Sequence, residues 1–168
     1  MGWSVNVGGW VVPMWLSIVG AVAAGFLPSP VTVMAGSIIQ DDLGRVLLIH
    51  RNTPEKNQWE IIGGKSNPGE DPTLTAAREA GEEAGIDIEV EQEAGRAHYF
   101  EDKPKLYIWY NSKIVSGTPH VVESIHDDIE YFSWAEMAAL PSLSVSAKHL
   151  LSAHQKGKLR LPPPRTAA

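Results

Sequence analysis

The segment that most constrains the fold is residues 64–86, GKSNPGEDPTLTAAREAGEEAGI. Asp71 followed by Pro72 predicts a helix start, because an Asp side chain accepts free backbone N–H groups and Pro suits the first helical position. Residues 73–84 are mostly good helix formers, so the helix is expected to continue through them. Side chains three and four positions apart then share a face. Three glutamates do so here: Glu79, Glu82 and Glu83.

This acidic face predicts a bound cation. Carboxylates at such spacing repel one another by roughly 0.2–0.5 kcal/mol per exposed pair, and by more where they are partly buried. Arg78 can orient one of them through a two-pronged hydrogen bond. Its single charge does not balance the cluster, because Glu70 lies one or two turns earlier. Oxygen ligands suit Mg²⁺, with Mn²⁺ as an alternative.

Three glutamates on a helix are also typical of a solvated surface, and the loop before the helix favours the metal-site interpretation. Gly63 and Gly64, followed by Asn-Pro-Gly-Glu at 67–70, allow a sharp turn and a close approach of the backbone to a ligand. Gly81 lies inside the predicted helix, where glycine costs up to about 1 kcal/mol relative to alanine. We expect it to mark a close-packing position.

Written as a pattern, the segment is G-x5-E-x7-R-E-A-x-E-E-x-G-I, which resembles the Nudix box in every fixed position. Nudix enzymes hydrolyse a nucleoside diphosphate linked to another group, using divalent metal held by the glutamates of the box. The resemblance therefore implies a MutT-like nucleotide pyrophosphohydrolase that works without a covalent enzyme intermediate.

The same resemblance implies a role for each polar position of the box. The residues matching the catalytic set are Arg78, Glu79, Glu82 and Glu83. Those matching metal ligands are the Gly64 carbonyl, Glu79, Glu82 and Glu83. Glu79 resembles the glutamate that either binds metal or activates water, a division of labour that varies within the family. Arg78 resembles the orienting partner, and Glu70 a supporting acid that can contact the metal.

The predicted architecture is an α/β (α+β) domain. The chain has 168 residues, 43% of them hydrophobic, which suffices for one core. Apolar and alternating runs predict strands at 31–39, 45–50, 59–62, 86–90, 97–100, 106–115 and 129–134. Helices are predicted over the box and at 134–140 and 144–154. The first two strands are expected to form a hairpin. This order resembles the Nudix fold, a mixed β-sheet sandwiched between α-helices.

The chain is predicted to have three parts: residues 1–30, a hydrolase domain at 31–155, and a basic, Pro-rich, solvated tail at 156–168. The first part has no charge, and its apolar run at 10–26 is at the short limit for a membrane-spanning helix. A membrane anchor, a cleaved export segment and a start codon placed too early all fit it. We expect a cytoplasmic protein unless this part is a targeting segment.

Substrate choice depends on residues outside the box. Trp59 resembles an aromatic of MutT-like members, Tyr99 could stack a base, and Glu123 lies in a loop where related enzymes often place an additional acid. We predict these three as substrate contacts. In the same loop, His126 could equally be a surface residue. A (d)NTP or oxidised nucleotide is favoured, with ADP-ribose or a nucleotide sugar as the alternative.

A Nudix-fold module that binds a nucleotide without hydrolysing it is the competing interpretation. The complete set of box residues argues against it, because a sensor has no need of the whole metal constellation. Net charge is −6, and no acid follows Glu136 whereas five Lys and Arg residues do, so the body of the domain is strongly acidic. Such a body disfavours long nucleic acid and favours small polyphosphates bridged by metal. A homodimer is plausible.

Overall fold

The computed structural model describes residues 4–7, 10–13 and 30–163. The chain divides into two compact units, Met1–Pro30 and Val31–Ala168. In the first, strands β1 (Ser4–Val7) and β2 (Trp10–Pro13) pair in antiparallel fashion. The rest of the predicted apolar extension lies outside the described residues. Within the described ranges, no helix combines the length and hydropathy needed to cross a membrane.

The larger unit is built on two sheets. A four-stranded mixed sheet has the order β6-β3-β8-β7, in which β3 and β8 are parallel and the other pairs antiparallel. Its strands are β3 (Thr32–Ile39), β6 (Gly63–Lys65), β7 (Asp87–Phe100) and β8 (Pro104–Ser116). An antiparallel three-stranded sheet has the order β5-β4-β9. Its strands are β4 (Val46–Asn52), β5 (Asn57–Ile61) and β9 (His126–Phe132).

Three helices pack on these sheets: α1 (Pro72–Ala84), α2 (Trp134–Ala139) and α3 (Val145–Gln155). Successive residues of β3 enter different hydrophobic clusters, as the two-residue period of a strand requires. Ile38 packs in the cluster that contains Met137 of α2 and Leu150 of α3. Ile39 packs in the cluster that contains Ala80 of α1. The predicted α/β (α+β) arrangement, with β-structure between helices, is confirmed.

The expected hairpin between the first two strands of the domain is wrong. β3 and β4 belong to different sheets. An isolated antiparallel bridge joins Gln40, just after β3, to Val46 at the start of β4. Each strand is central in its own sheet: β3 lies between β6 and β8, and β4 lies between β5 and β9. With both edges occupied, neither strand is free to pair with the other along its length.

Two further sequence expectations change. The strands predicted at 86–90 and 97–100 are one long strand, β7, whose register against β8 shifts between Val90 and Gln92 and again between Glu93 and Gly95. Within the tail that was predicted to be solvated, Leu159 and Leu161 instead pack against the core. Backbone and side-chain hydrogen bonds join Arg160 to Ala94 and Asn111.

Candidate functional site

Capping residues define both ends of the acidic helix. Asp71 caps the N-terminus by accepting a hydrogen bond from the Thr73 backbone N–H at 2.8 Å, and Pro72 occupies the first turn. Gly85 ends the helix in the left-handed region at φ 64°, a conformation that favours glycine. The predicted helix is therefore confirmed, with its acidic side chains at the edge of a cleft.

Arg78 holds three carboxylates of the box at once. Its Nε donates to Glu70 at 3.0 Å, and its Nη1 donates to Glu79 and Glu82, both at 2.8 Å. Nη2 donates to Glu70 and to the Lys65 carbonyl. The pKa of the Arg78 guanidinium is raised above its usual range, chiefly by the hydrogen bonds to Glu70. Arg78 is thus a fixed cation that orients the acidic cluster.

Glu70 is held as an anion. Besides Arg78, it accepts hydrogen bonds from the Asn67 backbone N–H and the Thr75 hydroxyl. The Arg78 hydrogen bond is the largest cause that lowers the pKa of Glu70, from 4.5 to about 2. Hydrogen bonds to the charged form account for the direction of this shift.

Glu83 has the opposite environment to Glu70, because burial raises the pKa of its carboxyl group. Its side chain faces inward, the residue is 4% exposed, and a carboxylate oxygen accepts the Gly63 backbone N–H at 2.9 Å. Burial raises the pKa of Glu83 to about 8, and the nearby carboxylates of Glu79 and Glu60 add to the rise. A buried carboxylate among other carboxylates is an environment that a divalent cation would relieve.

Glu79 and Gly64 approach each other closely. A Cβ atom placed on Gly64 would overlap the Glu79 carboxylate, so this strand position admits the side chain only because it is glycine. Burial is the main cause that raises the pKa of Glu79, although Arg78 opposes it. By contrast, Glu82 has a half-exposed side chain (51%) whose carboxylate is held by Arg78. Beyond the neighbouring backbone of its own helix, the described atom nearest to the Cβ position of Gly81 is the Ile86 carbonyl oxygen at 3.9 Å, so the close-packing expectation is wrong.

The loop before β9 brings Glu123 and His126 to the buried end of Glu83. Two backbone hydrogen bonds fasten the loop to the end of α1: His120 N–H to the Ala84 carbonyl at 3.0 Å, and Val122 N–H to the Glu83 carbonyl at 3.1 Å. One ligand atom each from Glu83, Glu123 and His126 lie within 4.8 Å of one another, a grouping that could hold a metal ion. The chemistry of these donors fits a divalent cation.

His126 is buried, at 4% exposure, so the interpretation as a surface residue is wrong. The sequence signal was its spacing of three residues from Glu123; the strand that His126 begins was predicted to start only at residue 129. Burial of its ring required the long-range packing of β9 against β4, which local sequence does not encode.

A cleft of about 310 Å³ opens over these groups. Gly63, Gly64, Glu79, Glu83 and Glu123 contribute to its lining. Its remaining charged lining residues include four cations and two acids: Arg51, Lys56, Lys65, Lys105, Glu60 and Glu101. Arg51 donates to Glu60 at 2.9 Å. Sequence reasoning did not assign Glu60 or Arg51 to the site, although the alternation of a strand places Gln58 and Glu60 on one face of β5.

The predicted aromatic contacts occupy different places. Tyr99 lines the cleft, and its ring stacks on His149 with centroids 5.1 Å apart. Burial raises the pKa of the Tyr99 hydroxyl to about 12. Trp59 packs against His50 and Phe132, with ring centroids 4.9 and 4.7 Å away, beside the cleft-lining Gln58 and Glu60.

Together, the fold and the site define a class: an α/β domain in which an arginine-clamped acidic helix and a glycine strand form one wall of a charged cleft. The chain belongs to the NUDIX domain family, whose model matches residues 30–153. The assignment to the Nudix hydrolase family that the box predicted is confirmed.

Two relatives illustrate the range of sequence similarity. Nucleoside diphosphate-linked moiety X motif 6 of Xenopus laevis is 30% identical over 133 residues, covering 76% of this chain and 59% of that protein. This chain thus spans about three fifths of that relative's length. CMP-5'-(N-acetyl-N-hydroxy-3-aminopropyl)phosphonate hydrolase of Streptomyces rubellomurinus is 44% identical over 50 residues, 29% of this chain and 24% of that protein.

Solved structures show the same fold. A MutT NUDIX hydrolase from Burkholderia pseudomallei superposes with a TM-score of 0.65 at 28% identity, covering 74% of this chain and 98% of its own. An Ap4A hydrolase from C. elegans superposes with a TM-score of 0.60 at 23% identity, covering 76% of this chain and 99% of its own. At that identity the second likeness concerns the fold alone.

Proposed function

We propose that this chain hydrolyses the pyrophosphate bond of a nucleoside diphosphate linked to another group, in a reaction that requires Mg²⁺ or Mn²⁺. The observation that carries the proposal is the organisation of the box. Arg78 binds Glu70, Glu79 and Glu82, while Glu83 is buried at the cleft. An acidic surface without function has no need of such a clamp or of a buried carboxylate.

The proposed metal ligands are the Gly64 carbonyl, Glu79, Glu82 and Glu83. A divalent cation at these groups would neutralise the diphosphate oxygens and lower the pKa of bound water. Glu79 is the proposed proton acceptor. Its Oε1 is engaged by Arg78, whereas no hydrogen bond from the described residues engages its Oε2. Arg78 would keep the Glu79 carboxylate oriented toward the cleft during proton transfer.

Nucleotide binding would use the remaining walls of the cleft. The cationic side chains of Arg51, Lys56, Lys65 and Lys105 suit phosphate oxygens. Tyr99 offers an aromatic ring for the base, and Glu123 a carboxylate for a polar contact. Trp59, packed on Phe132 and His50, would act by holding β5 and its neighbour Glu60 in place. A (d)NTP or oxidised nucleotide is the favoured substrate, ahead of ADP-ribose and nucleotide sugars.

We propose residues 31–155 as the catalytic domain, with the segment to Leu161 packed on it, and residues 1–30 as an extension that takes no part in catalysis. The residues that line the cleft run from Met34 to Ser146, all within this domain. A cytoplasmic location remains a prediction from the sequence, and the sequence leaves the oligomeric state open.

Product analysis across a nucleotide panel tests the proposal. The panel holds canonical and oxidised dNTPs, ADP-ribose, NADH, nucleotide sugars and dinucleoside polyphosphates, each with Mg²⁺ and with Mn²⁺. Nucleoside monophosphate plus pyrophosphate from a triphosphate is the expected result. AMP plus ribose 5-phosphate would instead identify ADP-ribose turnover. Tight nucleotide binding with no metal-dependent product from any compound would contradict hydrolysis and support the binding module.

A further inference from the structure

His126 is an imidazole without a partner in the interior of the domain. Its side chain has no exposed surface, and neither ring nitrogen has a hydrogen-bond partner among the described residues. Buried polar side chains almost always have a partner in protein or ordered water. A buried imidazole whose nitrogens both lack a partner among the described residues therefore indicates that a ligand or ion binds to the ring.

The two nitrogens face two carboxylates. Nε2 lies 3.8 Å from Glu83 Oε1, and Nδ1 lies 3.9 Å from Glu123 Oε2. Both distances exceed the range of a hydrogen bond. A neutral imidazole carries one N–H and one lone pair, so it can donate to one carboxylate only, and its lone pair repels the other. Among the described residues, Arg51, Glu60 and Asp127 are further charged groups whose fields reach the ring.

We propose that His126, Glu83 and Glu123 form a mixed nitrogen–oxygen site for a divalent cation, and that this site prefers Mn²⁺, Co²⁺ or Zn²⁺ to Mg²⁺. One ligand atom from each residue lies within 4.8 Å of the others. Imidazole nitrogen suits the borderline cations Co²⁺ and Zn²⁺. Mn²⁺ is harder and also binds oxygen, but as a transition ion it accepts an imidazole ligand more readily than Mg²⁺, which keeps to oxygen ligands and water. The inference rests on the proposed metal-dependent function, because Glu83 belongs to the acidic box as well.

Backbone hydrogen bonds fix the positions of the three ligand residues relative to one another. Val122 N–H binds the carbonyl of Glu83 itself, and His126 N–H binds the Glu123 carbonyl at 3.0 Å. Asn52 N–H binds the Ile125 carbonyl at 2.9 Å, which ties the same loop to β4. A ligand set supported from two neighbouring elements in this way is preorganised for a cation.

Pulsed EPR of the full chain loaded with Mn²⁺ tests the site through nitrogen hyperfine coupling. Directly bound imidazole is expected to give this coupling in the natural chain, and ¹⁵N-labelling of histidine should change its pattern. His126→Gln removes the imidazole and should abolish the coupling. His98→Gln is the matched control, because His98 is exposed on β7, and it should retain the signal. Absence of nitrogen coupling in the natural chain, or its persistence in His126→Gln, would overturn the inference.

Affinity measurements give an independent readout. Titration calorimetry with Mn²⁺ and with Mg²⁺ should show that His126→Gln loses about tenfold or more in Mn²⁺ affinity, with a smaller loss for Mg²⁺. Glu123→Gln changes a side chain that is 42% exposed and should also weaken Mn²⁺ binding, so the test survives if His126→Gln fails to fold. Equal losses for the two cations would contradict the proposed preference.

Hydrolysis, assayed separately with Mg²⁺, distinguishes the two proposals. Turnover without nitrogen coupling overturns the His126 ligand and leaves the pyrophosphohydrolase standing. Nitrogen coupling without turnover supports the site and overturns the proposed function.

Discussion

The box glutamates occupy contrasting environments within a short stretch of chain. Glu70 is surrounded by donors, and its pKa is lowered to about 2. Glu83 is buried near Glu79 and Glu60, and its pKa is raised to about 8. The contrast follows from what each residue contacts. The Arg78 guanidinium donates to Glu70, whereas Glu83 accepts one hydrogen bond from the described part of the chain, from the Gly63 backbone N–H. The Glu70 carboxylate thus stabilises the loop, whereas the charged form of the Glu83 carboxylate is destabilised by burial, an environment that a bound cation would relieve.

We expect Glu83→Gln to stabilise the metal-free protein. The amide keeps the volume and can still accept the Gly63 N–H, while the cost of burying a charge beside Glu79 is removed. Thermal unfolding at pH 8 with EDTA should show a rise in Tm of about 2–4 °C, the change that ~1 kcal/mol produces in a chain of this size. A lower Tm would show that the Glu83 charge is compensated within the protein itself.

The Glu70 carboxylate makes the folded protein more stable as the pH rises through the acid range. Folding lowers the pKa of Glu70 from 4.5 to about 2. Its contribution is therefore present above about pH 4.5 and is lost as the pH falls through about 2. The Tm difference between the natural chain and Glu70→Gln should be largest near pH 6 and shrink on acidification. A difference that stays constant down to pH 3 would contradict the Arg78–Glu70 interaction as its source.

At the scale of elements, the site is a junction of one helix, one short strand and one loop. α1 supplies the carboxylates, β6 supplies Gly64, and the loop before β9 supplies Glu123. The close passage of β6 past α1 depends on the missing side chain at Gly64, since a Cβ there would overlap the Glu79 carboxylate. The approach of these two elements therefore sets the position of Glu79.

Gly64→Ala should displace Glu79 while the fold persists, because the overlap involves the end of a flexible side chain. We expect kcat to fall by about 100-fold, the size of effect that misplacement by ~1 Å can produce, with Tm nearly unchanged. Gly81→Ala is the matched control inside α1. It should keep full activity and raise the free energy of unfolding by about 0.5–1 kcal/mol. Equal activity of both variants would contradict the importance of the close approach.

How far the sequence predicts the elements depends on the range of the interactions involved. Asp71, Pro72 and Gly85 are local signals, so the helix and the shared face of its glutamates could be predicted. The partners of β3 and β4 are chosen by packing between distant segments, and the predicted hairpin was accordingly wrong. The burial of His126 and the packing of Leu159 depend on the assembled core, which local patterns do not report.

At the scale of the whole molecule, all the groups of the site lie in the unit Val31–Ala168. Its hydrophobic clusters connect the two sheets with α1 on one side and with α2 and α3 on the other. The family match also begins at residue 30. The compact unit and the family match therefore begin at nearly the same residue, and the groups of the site lie after it.

Removal of residues 1–30 should leave both folding and catalysis intact. We expect the truncated chain to match the full chain in kcat/KM and in the midpoint of urea unfolding, because the described core is complete without that segment. Parallel assays of the two proteins, with circular dichroism as the folding control, check this. Loss of activity by a well-folded truncated chain would assign the segment a role in catalysis.

We propose that the Arg78-organised glutamates bind a divalent cation that drives cleavage of a nucleotide pyrophosphate bond. The most direct test is kcat/KM for the best nucleotide of the panel, measured with Mg²⁺ for the natural chain and for Glu83→Gln. We predict turnover that EDTA abolishes, and a loss on the order of 100-fold or more in the variant, equivalent to about 3 kcal/mol of transition-state stabilisation. Equal turnover by the two proteins, or turnover that persists in EDTA, would contradict the account.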